Sequence, residues 1–104
     1  MKLWLDDFRE APNGWTHVTT VEAAQELLIN GNVEEASLDH DLGFQFDAEG
    51  EEIPYDRTGY DLVKWMAETG HWPKKKPSVH SMNPAGRQNM KALIDRYFPQ
   101  EESA

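Results

Sequence analysis

"SLDHDLG", residues 37–43, sets Asp39, His40 and Asp41 in a row directly after the strand-like "EEASL". A turn there needs only one Asp or the Gly, so three adjacent ionisable side chains call for another explanation. Two other short apolar runs end in the same way: "KLWLDD" at 2–7 delivers Asp6 and Asp7, and "PSVHSMN" at 77–83 delivers His80 and Ser81. "WTHVTT", 15–20, reads as a further short strand.

Segments with helical period lie between these runs. "TTVEAAQELLING" places Thr19 at a capping-box distance from Glu22, carries Val21, Ala24, Leu27 and Leu28 at helical intervals, and stops at Asn30-Gly31. "TGYDLVKWMAETG" predicts a helix with Thr58 as N-cap, Asp61 at its third position, Leu62, Trp65 and Met66 as the buried stripe, and Gly70 as the stop. Asn83-Pro84 opens the last helix, with Met90, Leu93, Ile94 and Tyr97 turned inward. "HWPKKKP" is a connector whose Lys74, Lys75 and Lys76 read as solvated. Residues 44–57 are acidic and read as a long loop or small hairpin, a candidate lid.

Strands alternating with amphipathic helices predict a parallel sheet with right-handed crossovers. In such sheets ligands bind beyond the carboxyl ends of the strands, where the Asp, His and Ser residues sit. The expectation is one α/β domain over 1–98, a three-layer sandwich around about four parallel strands, with a disordered tail at 99–104.

Bulk properties narrow the function. A chain of 104 residues fits a single modest core, and 38% hydrophobic with 11% aromatic residues separates it from disordered sequences. No apolar run reaches the roughly 20 residues of a membrane span, and "MKLWLDD" contains no signal-peptide core, so a cytoplasmic protein is expected. With no Cys, disulfides, thiolate zinc sites and a cysteine nucleophile are excluded. A net charge of −9 repels extended nucleic acid and anionic membrane, so bulk DNA binding is not expected. A small phosphorylated ligand held at short range by a metal ion or a helix N-terminus is compatible with that charge.

Neighbouring parallel strands lie about 4.8 Å apart, so adjacent first, third and last strands would bring Asp6 and Asp7 beside Asp39 and Asp41, with His80 and Ser81 on the far side. Carboxylates so close raise one another's pKa unless a cation neutralises them. All-oxygen ligands from Asp6, Asp7 and Asp39 favour Mg²⁺, Ca²⁺ or Mn²⁺, with Mg²⁺ or Mn²⁺ the expected cofactor. The bland alternative is that these aspartates cap turns without a metal. His40, between two aspartates, and His80 fit a general base and acid for displacement at phosphorus, together with Asp39 and Asp41. Ser81 fits phosphate binding better than nucleophilic attack, lacking an evident triad. Asn83 is a helix N-cap that also aims a helix N-terminus at the site, where Arg9 and Arg87 could add guanidinium forks.

The Asp pair after the first strand, the Asp after the third and the hydroxyl after the fourth resemble the receiver domain of bacterial response regulators. More closely, "LWLDDFREAPNGW", "SLDHDLG", "TGYDLVKWM" and "VHSMNPAGRQNM" are similar to a small receiver-derived family named for cyclic-phosphate processing. The resemblance implies a flavodoxin-like fold and a pocket of Asp6, Asp7, Asp39, His40, Asp41, His80, Ser81 and Asn83. It further implies phosphoesterase-like action on a cyclic phosphate, such as the 2′,3′-cyclic phosphate of a nucleotide or of an RNA end in RNA repair. Against a signalling receiver, a fifth strand with its phosphate-contacting lysine is missing, and the first crossover helix is reduced to "FREAPNGW". The alternatives are a non-catalytic binder of a cyclic nucleotide or a protein partner, and a degenerate phosphoacceptor receiver using Asp39.

Overall fold

The computed structural model describes residues 1–43 and 45–99. The expected tail therefore falls, for 100–104, outside the described residues, as does Phe44 of the acidic segment. Strands β1 (Lys2–Leu5), β2 (Trp15–Val18) and β3 (Glu35–Leu38), together with the later β6 (Ser78–Val79), form one parallel sheet in the order β2-β1-β3-β6. The pairing register sets Leu3 beside Ala36 and Leu5 beside Leu38, which puts these apolar residues on one face. The ladder continues one residue past the strands, because Asp6 N–H donates to Val18 O and Asp39 N–H to Leu5 O, with His80 N–H on Leu38 O. The three strand ends are thus held level with one another.

Helices α1 (Val21–Asn30), α2 (Gly59–Thr69) and α3 (Pro84–Tyr97) bury Val21, Ala24, Leu28, Leu62, Val63, Met66, Met90 and Ile94. These side chains join Leu3, Leu5, Ala36 and Leu38 in a single cluster. Burying a Leu, Ile, Val or Met side chain contributes about 1.5–3 kcal/mol, so this cluster is the main stabilising term. The α/β class, the four-stranded parallel sheet and its three helices are as expected of a receiver-like fold, and the two crossover helices α1 and α2 lie on one face of the sheet. The reason is directional. The crossovers β2-α1-β3 and β3-α2-β6 step the same way along the sheet, so right-handedness puts their helices on one face. The one connection stepping the opposite way, from β1 to β2, contains no helix. The other face carries Lys2, Trp4, Trp15 and Ser37, with Lys2 Nζ 5.7 Å from the Trp15 ring and Trp4 edge-on to Trp15.

Local signals shifted in a few places. The α1 cap is Thr20, whose hydroxyl accepts from Ala23 N–H, and not Thr19; Glu22 instead pairs with Arg57 and accepts from the Tyr55 hydroxyl. That contact and burial push the Tyr55 pKa up to about 12, burial being the larger cause. The capping box of Thr58 and Asp61 forms as expected, and Gly70 ends α2 at φ 77°. Trp65 is only half-buried and stacks on His71, and Tyr97, expected inside, is 47% exposed. The last strand stops at Val79, and His80 and Ser81 follow it. The acidic segment contains the hairpin β4 (Gln45–Phe46) and β5 (Glu52–Ile53). Tyr55 and Arg57 tie its return to α1, and Gln45 Nε2 donates to Thr19 O and Leu42 O.

Candidate functional site

Asp6 is the most constrained residue at the strand ends. It is 2% exposed, and its Oδ1 accepts from Phe8 N–H at 2.8 Å and Arg9 N–H at 2.7 Å, while Oδ2 accepts from His80 Nε2 at 2.9 Å. Burial works against its charge, but the two backbone donors and His80 outweigh burial and hold its pKa below the ordinary carboxylate value. Asp39 behaves in the opposite way. Burial and then the neighbouring Asp6 charge push its pKa up, although its Oδ1 accepts from His40 N–H at 2.8 Å.

The oxygens that Asp6, Asp7 and Asp39 offer all lie within 4.8 Å of one another. A carboxylate has about four lone-pair positions, and three of those on Asp6 are in use, which leaves one for a cation. A hard divalent ion takes such all-oxygen donors and would relieve the repulsion that raises the Asp39 pKa. The residues present therefore fit Mg²⁺ or Mn²⁺.

These carboxylates open into a cleft of about 300 Å³ lined by Asp6, Asp7, Phe8, Arg9, Asp39, Asp41, Gly43 and Met82. The structure thus brings Asp6, Asp7, Asp39, Asp41 and Arg9 into one wall. His40, His80, Ser81, Asn83 and Arg87 stand behind or beside it. Strand alternation separates the two histidines. His80 lies flat on Trp4, with ring centroids 3.8 Å apart at 4°, whereas the His40 ring packs under the first turn of α3, where a Cβ on Gly86 would come within 2.5 Å of His40 Cγ.

His80 has both ring nitrogens engaged, Nε2 by Asp6 and Nδ1 by Ser37 Oγ at 2.7 Å. Burial lowers its pKa in spite of the Asp6 charge. With Asp6 ionised and His80 neutral, Nε2 carries the proton toward Asp6 and Nδ1 accepts from the Ser37 hydroxyl. His80 therefore orients Asp6. His40 Nδ1 is 2.8 Å from Asp41 Oδ1, and its Nε2 has no hydrogen-bond partner among the described residues.

Ser81 is 2% exposed, and its hydroxyl accepts from Asn83 N–H at 3.1 Å; Asn83 caps α3 through Gly86 N–H at 3.0 Å and reaches Asp41 Oδ1 at 3.4 Å. Arg9 Nη1 lies 3.4 Å from His80 O, and Arg87 Nη1 lies 3.5 Å from Ser81 O. His17 is exposed, and its Nε2 sits 2.7 Å from Asp6 O.

Two supporting residues escaped the sequence reading. Trp4 stacks on His80 and donates from Nε1 to Arg9 O at 3.1 Å, and Ser37 holds the far nitrogen of the same imidazole. Their signal was parity: Trp4 precedes Asp6 by two residues, and Ser37 pairs beside Trp4 in the register, which puts both on the face where His80 meets Asp6.

A family model described as "Cyclic-phosphate processing Receiver domain" matches residues 1–96. No curated protein and no solved structure matches the chain. Among the described residues no helix is long and apolar enough to cross a membrane.

Proposed function

This chain belongs to the family of cyclic-phosphate processing receiver domains, and from that premise we propose that it hydrolyses a 2′,3′-cyclic phosphate of a nucleotide or RNA end at the carboxyl ends of its parallel strands. In that reaction a water oxygen bonds to phosphorus, one of the two P–O bonds to the ribose breaks, one water proton passes to a base, and the released ribose oxygen gains a proton. The product is a phosphomonoester. The observation that carries the reading is the convergence of Asp6, Asp7 and Asp39 beside Asp41, itself paired to His40.

Asp6, Asp7 and Asp39 would hold the divalent ion, which when bound would neutralise phosphate charge. Asp41 reaches the cleft and takes or returns the proton, and His40 behind it balances the charge that Asp41 gains or loses. Arg9 lies in the same wall and offers a guanidinium fork to a phosphate oxygen. His80, Ser37 and Trp4 act as positioning residues for Asp6. The N-terminus of α3, capped by Asn83, faces the same end of the sheet, with Ser81 and Arg87 supporting that turn.

A second reading, a pocket that binds a cyclic nucleotide without opening it, is favoured by one feature: neither histidine is in the cleft wall.

Because the folded-state pKa of Asp39 is raised, its charge costs stability at neutral pH, and that cost disappears as pH falls through the folded pKa. Asp39→Asn keeps an acceptor for His40 N–H and removes the cost, so the metal-free variant is expected to melt a few degrees above the parent at pH 7. Mg²⁺ or Mn²⁺ at a hundredfold excess over Kd should stabilise the parent by about 2.7 kcal/mol and leave Asp39→Asn unmoved. A parent whose thermal midpoint ignores both ions, or a variant that responds equally, contradicts the assignment.

A further inference from the structure

Among the exposed large apolar side chains, Phe8 at 83% and Met82 at 79% are the most exposed, ahead of Phe46 at 60%. Both line the acidic cleft, and neither packs against the core. A single exposed apolar side chain is ordinary, but two at the mouth of one cleft form a feature that folding alone does not explain. Their backbones are fixed by the site. Phe8 N–H donates to Asp6 Oδ1, and Met82 lies between buried Ser81 and Asn83, which are bonded to each other. They follow β1 and β6, the neighbours of β3 on either side, so the pair brackets the β3 end that carries Asp39 and Asp41.

A phenyl face and a polarisable thioether both favour contact with a flat heteroaromatic ring. A ligand reaching them from the carboxylates and Arg9 carries a phosphate at one end and a ring at the other. The cleft volume of about 300 Å³ lies at the lower end for small-molecule sites. Resting on the phosphate reading above, we propose that Phe8 and Met82 seat the base of a nucleoside cyclic phosphate, making the site selective for base-bearing over base-free cyclic phosphates. Either a free mononucleotide or the last nucleotide of an RNA presents that chemistry.

The test uses the full chain with ¹³C-methyl methionine, the Met82 resonance being assigned among four methionines by Met82→Ala. Adenosine 2′,3′-cyclic monophosphate with Mg²⁺ is expected to move the Met82 methyl upfield by ring current, and glycerol 1,2-cyclic phosphate is not. Phe8→Ala should cut the preference for the adenosine compound by on the order of tenfold, and Phe8→Trp should retain it. Phe8 makes no core contact, so these variants fold.

An equal methyl shift with both ligands, an unchanged preference in Phe8→Ala, or no response to any ligand overturns the base seat. If both cyclic phosphates are opened with equal kcat/KM, the seat falls while the hydrolytic reading stands. If the adenosine compound binds through Phe8 and is never opened, hydrolysis falls while the seat stands. A trinucleotide with the same cyclic end separates the two sources, tighter binding of it marking an RNA end and tighter binding of the mononucleotide a free nucleotide. The seat requires whichever binds tighter to exceed the base-free compound.

Discussion

His40→Ala is expected to lower cyclic-phosphate turnover by roughly 10²- to 10⁴-fold, the usual contribution of a positioned proton-transfer group. The backbone bond from His40 N–H to Asp39 survives the substitution, so the carboxylate cluster keeps that support. What is lost is the imidazole 2.8 Å from Asp41 Oδ1. If Asp41 and His40 exchange the proton as a unit, Asp41→Asn should cause a loss of the same order, and the double variant should fall little further than either single one. Multiplicative losses, read from kcat/KM, would show that the two act independently. Mg²⁺-dependent thermal stabilisation should persist in His40→Ala, since the imidazole is not among the oxygen donors. Loss of that stabilisation would place the damage in the fold instead.

Gly59→Ala carries the largest expected effect on stability. The N-terminus of α2 docks directly on the end of β3, with Gly59 N–H donating to His40 O at 2.9 Å. A Cβ there would stand 1.9 Å from Asp39 O and 2.7 Å from Met90 Cε. The first contact is with backbone, which the sheet ladder holds through Asp39 N–H, so it cannot be relieved by turning a side chain. Overpacking costs about 1–3 kcal/mol and more where backbone must move, so a loss near 3 kcal/mol is expected, about 12 °C or more in Tm for a domain of this size. Gly43→Ala is the control for stability alone. Nothing lies within 4 Å of its added Cβ and its φ is outside the left-handed region, so a change within about 0.5 kcal/mol is expected. Equal denaturation midpoints for the two variants would contradict the tight seating of α2 on the site.

The parts of this structure legible in the sequence are those governed by short-range chemistry. Thr58 and Asp61 formed their reciprocal cap because both partners lie within one turn. The Asn83-Pro84 start was legible for the same reason. At α1 two consecutive threonines offered the cap, and spacing to Glu22 favoured the wrong one, because Glu22 is held by Tyr55 and Arg57 from a distant segment. The face that each crossover helix takes depended on the direction of the crossover, which is a property of strand order and not of any single segment.

The same distinction runs through the site. That Asp6, Asp7 and Asp39 converge followed from three strand ends in one parallel sheet. The different surroundings of His40 and His80 did not follow, because only strand alternation puts one ring under α3 and the other on Trp4. Arg9 reached the cleft wall, and Arg87, one turn into α3, lies instead against Ser81 O.

Phosphorus NMR of the purified chain with nucleoside 2′,3′-cyclic monophosphates, in Mg²⁺ and then Mn²⁺, reads out ring opening itself. Conversion to a single phosphomonoester isomer is expected, and the isomer formed identifies the P–O bond that breaks. Cyclic-phosphate resonances that shift or broaden on adding protein, yet never convert, would contradict hydrolysis and leave a binding pocket.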